Sequence, residues 1–419
     1  LSTVSSYCIL DTAKMKNNHQ YSLSRRRFLS LTAKGIGLVV VSSGLTACSL
    51  TDDDDTVAVQ FTHGVASGDP TQSAVIIWTR MIPQDAGFTD NLPIRWEVAT
   101  DSNFNSVVNS GSATTSAQSD YTMKVDAHNL DAGTTYYYRF ISGKEISEVG
   151  TTRTLPEGNI AEAKLAVVSC SNYPAGFFNV YDMISKELNV AAVVHLGDYI
   201  YEYARDGYAS ENAALLDREV NPNTEIISLS DYRIRYAQYR SDPSLQQLHA
   251  VQPFICVWDD HEVTNDAYRD GAQNHQADEG DYEQRKLFAL QAYFEWMPIR
   301  LNAEDSLRLY REIQYGDLLN LYMCDTRLEG RDEQVGATSS EINDTNRRLL
   351  GEDQYNWLLD GLQNSTSQWN ILGQQVMMAP LEVFGLVLNP DQWDGYPAER
   401  NRFYGDILSH NINNLVVLT

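Results

Sequence analysis

Apolar and polar residues alternate in short runs from Val57 to about Thr154, and Gly, Asp, Asn and Ser separate the runs. Ala74–Arg80, Ile94–Ala99, Tyr121–Val125 and Thr135–Phe140 each read as a strand. No helical period interrupts them, so residues 57–155 are expected to form a small all-β sandwich of fibronectin or immunoglobulin type. From Lys164 the pattern changes to alternating strands and helices. Leu165–Cys170, Ala191–Leu196 and Phe254–Trp258 read as buried strands. Phe177–Leu188, Asp231–Leu248 and Asp281–Met297 read as helices, the last two amphipathic. Arg308–Ile313 and Leu318–Cys324 predict two adjacent strands, Glu352–Leu362 a helix, and Trp369–Leu372 a further strand. Phe403–Ser409 should be helical and Asn414–Leu418 a last strand, so residues 162–419 predict a layered α/β domain.

Three of the buried strands end in residues that can hold a metal. One ends at Cys170, one runs into Gly197-Asp198-Tyr199-Ile200-Tyr201-Glu202, and one into Asp259-Asp260-His261-Glu262. Neighbouring parallel strands bring their C-terminal tips to one sheet edge, where open α/β sheets place ligands. Gly197 lets the backbone turn sharply there. His195 precedes that turn and can pack or orient Asp198, so it is not assigned as a ligand. Cys256 and Cys324 lie inside apolar runs and read as small core residues.

Composition narrows the function. The chain is 43% hydrophobic and 21% charged, which suits globular domains, and Lys+Arg 31 against Asp+Glu 56 gives a net charge of -25. That balance argues against a general nucleic-acid-binding surface and is compatible with cation binding. The five cysteines are odd in number, widely spaced and form no CxxC pair, so no disulfide framework is expected.

The first methionine is Met15, so residues 1–14 read as upstream sequence or an incomplete record. Ser24-Arg25-Arg26-Arg27-Phe28-Leu29-Ser30 resembles a twin-arginine export signal. The apolar region Leu31–Val41 that follows is short for a membrane span. Leu45-Thr46-Ala47-Cys48 resembles a lipobox, in which Cys48 would carry a lipid anchor. Residues 1–48 are therefore expected to be a signal region and residues 49–56, with four consecutive aspartates, a solvated tether. A chain so marked would meet the twin-arginine export machinery and end in the periplasm or on the cell surface, held by its lipid.

The strand-tip residues carry a closer resemblance. Gly197-Asp198 followed by Asp260-His261-Glu262 is similar to the metallophosphoesterase pattern, although Trp258-Asp259-Asp260 departs from the usual Gly-Asn-His core. The departures resemble the alkaline phosphatase D, or PhoD-like, branch. The resemblance rests on Val168–Asn172, His195–Glu202, Val257–Val263 with Asn265, Ala66–Pro70 and Asp325–Arg327. It implies an α/β metallophosphoesterase-type layered sheet domain that hydrolyses phosphomonoesters or phosphodiesters with one Fe3+ and Ca2+. Cys170, Asp198 and Tyr201 would put a thiolate, a carboxylate and a phenolate on one metal, which favours Fe3+ over Zn2+. Asp69, Asp260 and Asn265 are oxygen donors of the kind Ca2+ takes. Asp69 also admits a simpler reading, as part of an ordinary turn.

His261 is the candidate for contacting the phosphate or protonating the leaving group. Arg327 is either a phosphate clamp or one side of an ion pair with Asp325 or Glu329. Family members continue past Val416–Thr419 into Gly-Asp-x-His, so the resemblance also implies that the chain is truncated there and would retain metal weakly. The leading expectation is an exported phosphatase and phosphodiesterase that releases phosphate from extracellular phosphoesters. Its competitors are a nuclease or phospholipase-like diesterase and an inactive calcium-binding surface lipoprotein.

Overall fold

The computed structural model describes residues 38–39, 57–302, 305, 307–383 and 386–419. The twin-arginine segment, Cys48 and the aspartate run lie outside the described residues. Of the apolar stretch Leu31–Val41, only Leu38–Val39 is described, paired in parallel with Lys124–Val125. No helix among the described residues is long and apolar enough to cross a membrane.

The N-terminal part holds β1 (Val65–Gly68), β2 (Ala74–Arg80), β3 (Leu92–Ala99), β4 (Val107–Thr115), β5 (Thr122–His128), β6 (Thr135–Ser142) and β7 (Gly150–Arg153). β3, β4, β6 and β7 form one antiparallel sheet, and β1, β2 and β5 pair antiparallel in a second. Val75, Ile77, Ile94, Trp96, Val98, Val125, Tyr136 and Phe140 fill the space between the two. Each inward aliphatic side chain contributes roughly 1.5–3 kcal/mol by leaving water. In β3 and β4 core and surface positions alternate, whereas β2 is buried on both faces.

The α/β part begins with β8 (Leu165–Val168), α1 (Asn179–Ser185) and β9 (Ala192–His195). It continues through α2 (Leu229–Tyr239), α3 (Pro243–Val251), β10 (Pro253–Cys256) and α4 (Tyr282–Trp296). A second sheet follows: β11 (Arg311–Tyr315), β12 (Leu319–Met323), α5 (Glu352–Asn364), β13 (Trp369–Gly373), α6 (Pro397–Ser409) and β14 (Leu415–Leu418). β8, β9 and β10 are parallel in the first sheet; β12, β13 and β14 are parallel in the second, with β11 antiparallel at its edge. Leu319, Leu321 and Met323 face Val193, Phe254 and the helical Tyr236 and Leu290 in one core, while Tyr322 turns the other way onto Leu358 and Phe403.

Two expectations change. The run Asp231–Leu248 is two helices, not one. Asp242 caps the second by accepting from the Ser244 and Leu245 N–H groups at 2.9 and 3.2 Å, and Pro243 opens it. The sandwich, moreover, is not an independent layer in front of the α/β domain. β1 pairs in parallel with β10 (Ser67 with Pro253, Gly68 with Phe254), so β5-β2-β1-β10-β9-β8 is one continuous sheet.

Candidate metal centre

The three parallel strands deliver three loops to one edge. The ladder runs on past the strand ends: Leu196 N–H donates to Val168 O at 2.9 Å, Cys170 N–H to Gly197 O at 3.1 Å, Ser171 N–H to Asp198 O at 2.8 Å and Val257 N–H to His195 O at 3.0 Å. Gly197 sits at φ 113°, and a Cβ there would meet Asp259 N at 2.3 Å. Only glycine lets the second and third loops approach this closely. Glu262 ties the two together: its buried carboxylate accepts the N–H groups of Asp198 (3.0 Å), Tyr199 (2.5 Å) and Asp259 (2.8 Å). His195 is buried as expected of an orienting residue, with Ser171 Oγ and Tyr181 OH at Nε2 and the Gly197 N–H at Nδ1.

This frame brings one ligand atom from each of Asp198, Asp260 and His261 within 4.8 Å of the others, and all three residues are buried. Cys170 Sγ and Tyr201 OH both point at the same oxygen, Asp198 Oδ2, from 3.4 and 3.1 Å. The other oxygen, Asp198 Oδ1, is buried without a hydrogen-bond partner among the described residues. Arg235 on α2 fixes the backbone that carries Tyr201, donating to the carbonyls of Tyr201 and Tyr203.

The electrostatics follow from crowding. Burial, against the pull of His261 and with the push of Asp260, raises the Asp198 carboxyl to about 6. Burial and the nearby Asp198 raise the Cys170 thiol to about 12, although the residue stands at the open side of the cluster. Burial first, and Asp198 next, hold the Tyr201 phenol above its usual range. Asp259 is lifted to about 8 by burial, which outweighs Arg327. A thiol, a phenol, an orphaned carboxylate oxygen and a second carboxylate, converging where negative charge is this costly, are a donor set that a cation satisfies. The residues present therefore fit a metal.

The other expected site residues have protein partners of their own. Asp69 is not brought to the cluster. Its strand meets β10 at Phe254, well before the Asp259-Asp260 tip, and its carboxylate accepts from Arg311 Nη2 at 2.5 Å and Arg300 N–H at 2.7 Å. Asn265 is half-buried and donates its side-chain Nδ2 to Gln273 at 3.0 Å, which leaves its Oδ1 as the atom a cation would take. Arg327 is buried and held by acids: Nε to Asp259 at 2.5 Å, Nη2 to Asp260 at 3.4 Å, and both Nη groups to Asp391 at 2.6 and 2.9 Å. The ion-pair reading holds, with different partners. Asp325 instead accepts the backbone N–H groups of Arg327 and Leu328, both at 2.8 Å.

Three residues at the centre were not singled out from the sequence: Glu202, Glu262 and Asp391. The first two lay inside motifs already quoted, where an acid among acids gave no separate signal. Asp391 lies in a segment with no motif at all.

The comparisons bear on this geometry. A family model described as PhoD-like phosphatase matches residues 165–419, and one described as PhoD-like phosphatase, N-terminal domain, matches residues 47–156. The chain is 38% identical over 419 residues to alkaline phosphatase D of Bacillus subtilis (strain 168), covering 95% of this chain and 71% of that protein. A solved structure titled "Structure of PhoD" superposes with a TM-score of 0.79 at 39% identity, covering 86% of this chain and 71% of that one.

Proposed function

Because the chain belongs to the PhoD-like phosphatase family, and is a phosphoesterase homologous to alkaline phosphatase D, we propose that it is an exported enzyme cleaving extracellular phosphomonoesters and phosphodiesters at the Asp198 centre. The observation that carries the reading is the convergence of Cys170 and Tyr201 on one oxygen of Asp198, with the other oxygen free and Asp260 and His261 alongside. Cys170, Asp198 and Tyr201 would hold Fe3+, and Asp198 with Asp260 would hold Ca2+ beside it. When bound, such ions supply charge neutralisation at the phosphoryl oxygens and an activated water. Asp69 is left out of the calcium set, because its carboxylate is taken by Arg311 and Arg300, while Asn265 would offer its Oδ1.

The protein's own groups have separate tasks. His261, buried beside the carboxylates, carries a proton to the leaving oxygen. Arg327 balances Asp259, Asp260 and Asp391 and so keeps the acids together without spending a fork on substrate. The Ser24–Ser30 segment and Cys48 support twin-arginine export and a lipid anchor at the periplasmic or cell surface.

The test is direct. The purified protein should hydrolyse bis-p-nitrophenyl phosphate in Ca2+ and lose that activity on chelation. Elemental analysis should find iron, and a phenolate-to-Fe3+ band should tint the protein and shift or vanish in Tyr201→Phe. A colourless, iron-free protein that hydrolyses the diester would sink the iron assignment; an iron-loaded protein that turns over no phosphoester would sink the enzyme.

A further inference from the structure

Glu202 closes the motif that begins at His195, and the mechanism above gives it no role. It is fully buried, in a site with ample donors. Its Oε1 accepts the Asn265 N–H at 2.7 Å, Asn274 Nδ2 at 2.9 Å and Thr264 Oγ1 at 3.2 Å. Among the described residues its Oε2 meets one group, His261 Nδ1, at 2.7 Å. The division is informative. Neutral donors saturate one oxygen and stabilise the charge, and the second oxygen is kept for a single ring nitrogen.

We propose that Glu202 is a positioning residue for His261: it holds the proton on Nδ1, fixes the ring, and leaves Nε2 as the atom that serves the leaving group. A carboxylate on one imidazole nitrogen sets the tautomer and the direction of the other. The ring is further fenced by Tyr201 at 4.3 Å and Tyr203 at 5.4 Å between centroids, so the hydrogen bond decides rotation within a slot already narrow. In the step this serves, water oxygen bonds to phosphorus as the bond from phosphorus to the leaving oxygen breaks. The leaving oxygen takes the Nε2 proton, and a proton from the attacking water restores the imidazolium. Glu202 stays ionised throughout and touches neither substrate nor reacting atom.

The inference rests on the acid role proposed for His261, and the experiment separates the two. Two phosphodiesters are compared, one with a p-nitrophenol leaving group, which needs little protonation, and one with an alkyl alcohol, which needs it fully. His261→Asn should raise the preference for the p-nitrophenyl ester by roughly tenfold or more. Glu202→Gln, which keeps the volume and removes the charge, should raise that preference in the same direction, with metal content per chain unchanged. A second variant, Thr264→Val, loosens the Oε1 side and should give a smaller shift of the same sign if Glu202→Gln folds poorly. If His261→Asn shifts the preference while Glu202→Gln and Thr264→Val leave it alone, the positioning role is wrong. If His261→Asn itself produces no shift, the acid assignment under the proposed function is wrong instead.

Discussion

At the scale of single residues, the centre is a problem in charge that Arg327 partly solves. Asp259, Asp260 and Asp391 all reach its guanidinium, which is buried beside a buried Asp260 and half-buried Asp259 and Asp391. Removing one partner of a buried pair leaves the others as uncompensated charges. Arg327→Met should therefore cost about 3–5 kcal/mol in denaturant unfolding of the metal-free protein. Arg327→Lys should recover only part of this, because an ammonium cannot engage Asp259 and the Asp391 pair at once. If Arg327→Met is as stable as wild type, the guanidinium is not the anchor described here. The same crowding makes Asp198 the residue on which metal retention turns. Asp198→Asn should lose bound metal, read by elemental analysis, and more than roughly a hundredfold of kcat/KM. Without the cation its fold should hold, since burial already raises the native carboxyl to about 6 and a neutral amide removes that cost.

At the scale of elements, the approach of the loops after β9 and β10 depends on Gly197. Gly197→Ala would place a methyl 2.3 Å from Asp259 N at φ 113°, where an L-residue is strained. We expect about 2–4 kcal/mol of destabilisation and a weaker metal affinity, because the shift moves Asp198 and Asp260 apart. Equal metal affinity in the variant, measured by calorimetric titration, would contradict this.

Element boundaries were legible where the signal is local. Ala74–Arg80 is a strand over the span that its apolar, β-branched run predicts, and the Asp242-Pro243 step that splits the expected Asp231–Leu248 helix is visible as a cap and an N1 proline. β1 was not legible as a strand of the α/β sheet: it is four residues long, ends in Gly68-Asp69-Pro70, and its partner Pro253-Phe254 is remote in the chain. The same reason hid Glu202. Cys170, Asp198 and Asp260 could be read because each follows its own apolar run, whereas the worth of Glu202 lies in a meeting with a histidine 59 residues away. The partner of Asp69 was hidden for the converse reason, since a carboxylate beside a turn gives no sign that Arg311 will take it.

At the scale of the whole molecule, the sheet that crosses from sandwich to α/β part makes the two one mechanical body, and Lys124 is buried in the seam. It belongs to β5, yet its Nζ donates to the Phe294 carbonyl at 2.5 Å and the Ile299 carbonyl at 3.3 Å, at the end of α4. Burial lowers its pKa from 10.5 to about 7, against the opposing fields of Asp69 and Glu295. The unfolded chain, with an ordinary lysine, binds the proton up to about pH 10; the folded chain releases it near pH 7. Between those values unfolding takes up a proton, so rising pH favours the folded state, by at most about 1.4 kcal/mol per pH unit. Below pH 7 both states are protonated and the burial penalty stands in full and constant. Lys124→Met keeps the stem and deletes the titration. The stability difference between wild type and Lys124→Met should therefore move in favour of wild type from pH 7 to pH 9, read from urea unfolding at each pH, and stay level from pH 5 to pH 6. Because the seam is a paired sheet, tryptophan fluorescence and far-ultraviolet circular dichroism should report the same midpoint at each pH. A difference that does not change between pH 7 and pH 9 would mean that Lys124 is charged in the folded protein. Two separated midpoints would mean that the β1–β10 pairing does not couple the two halves.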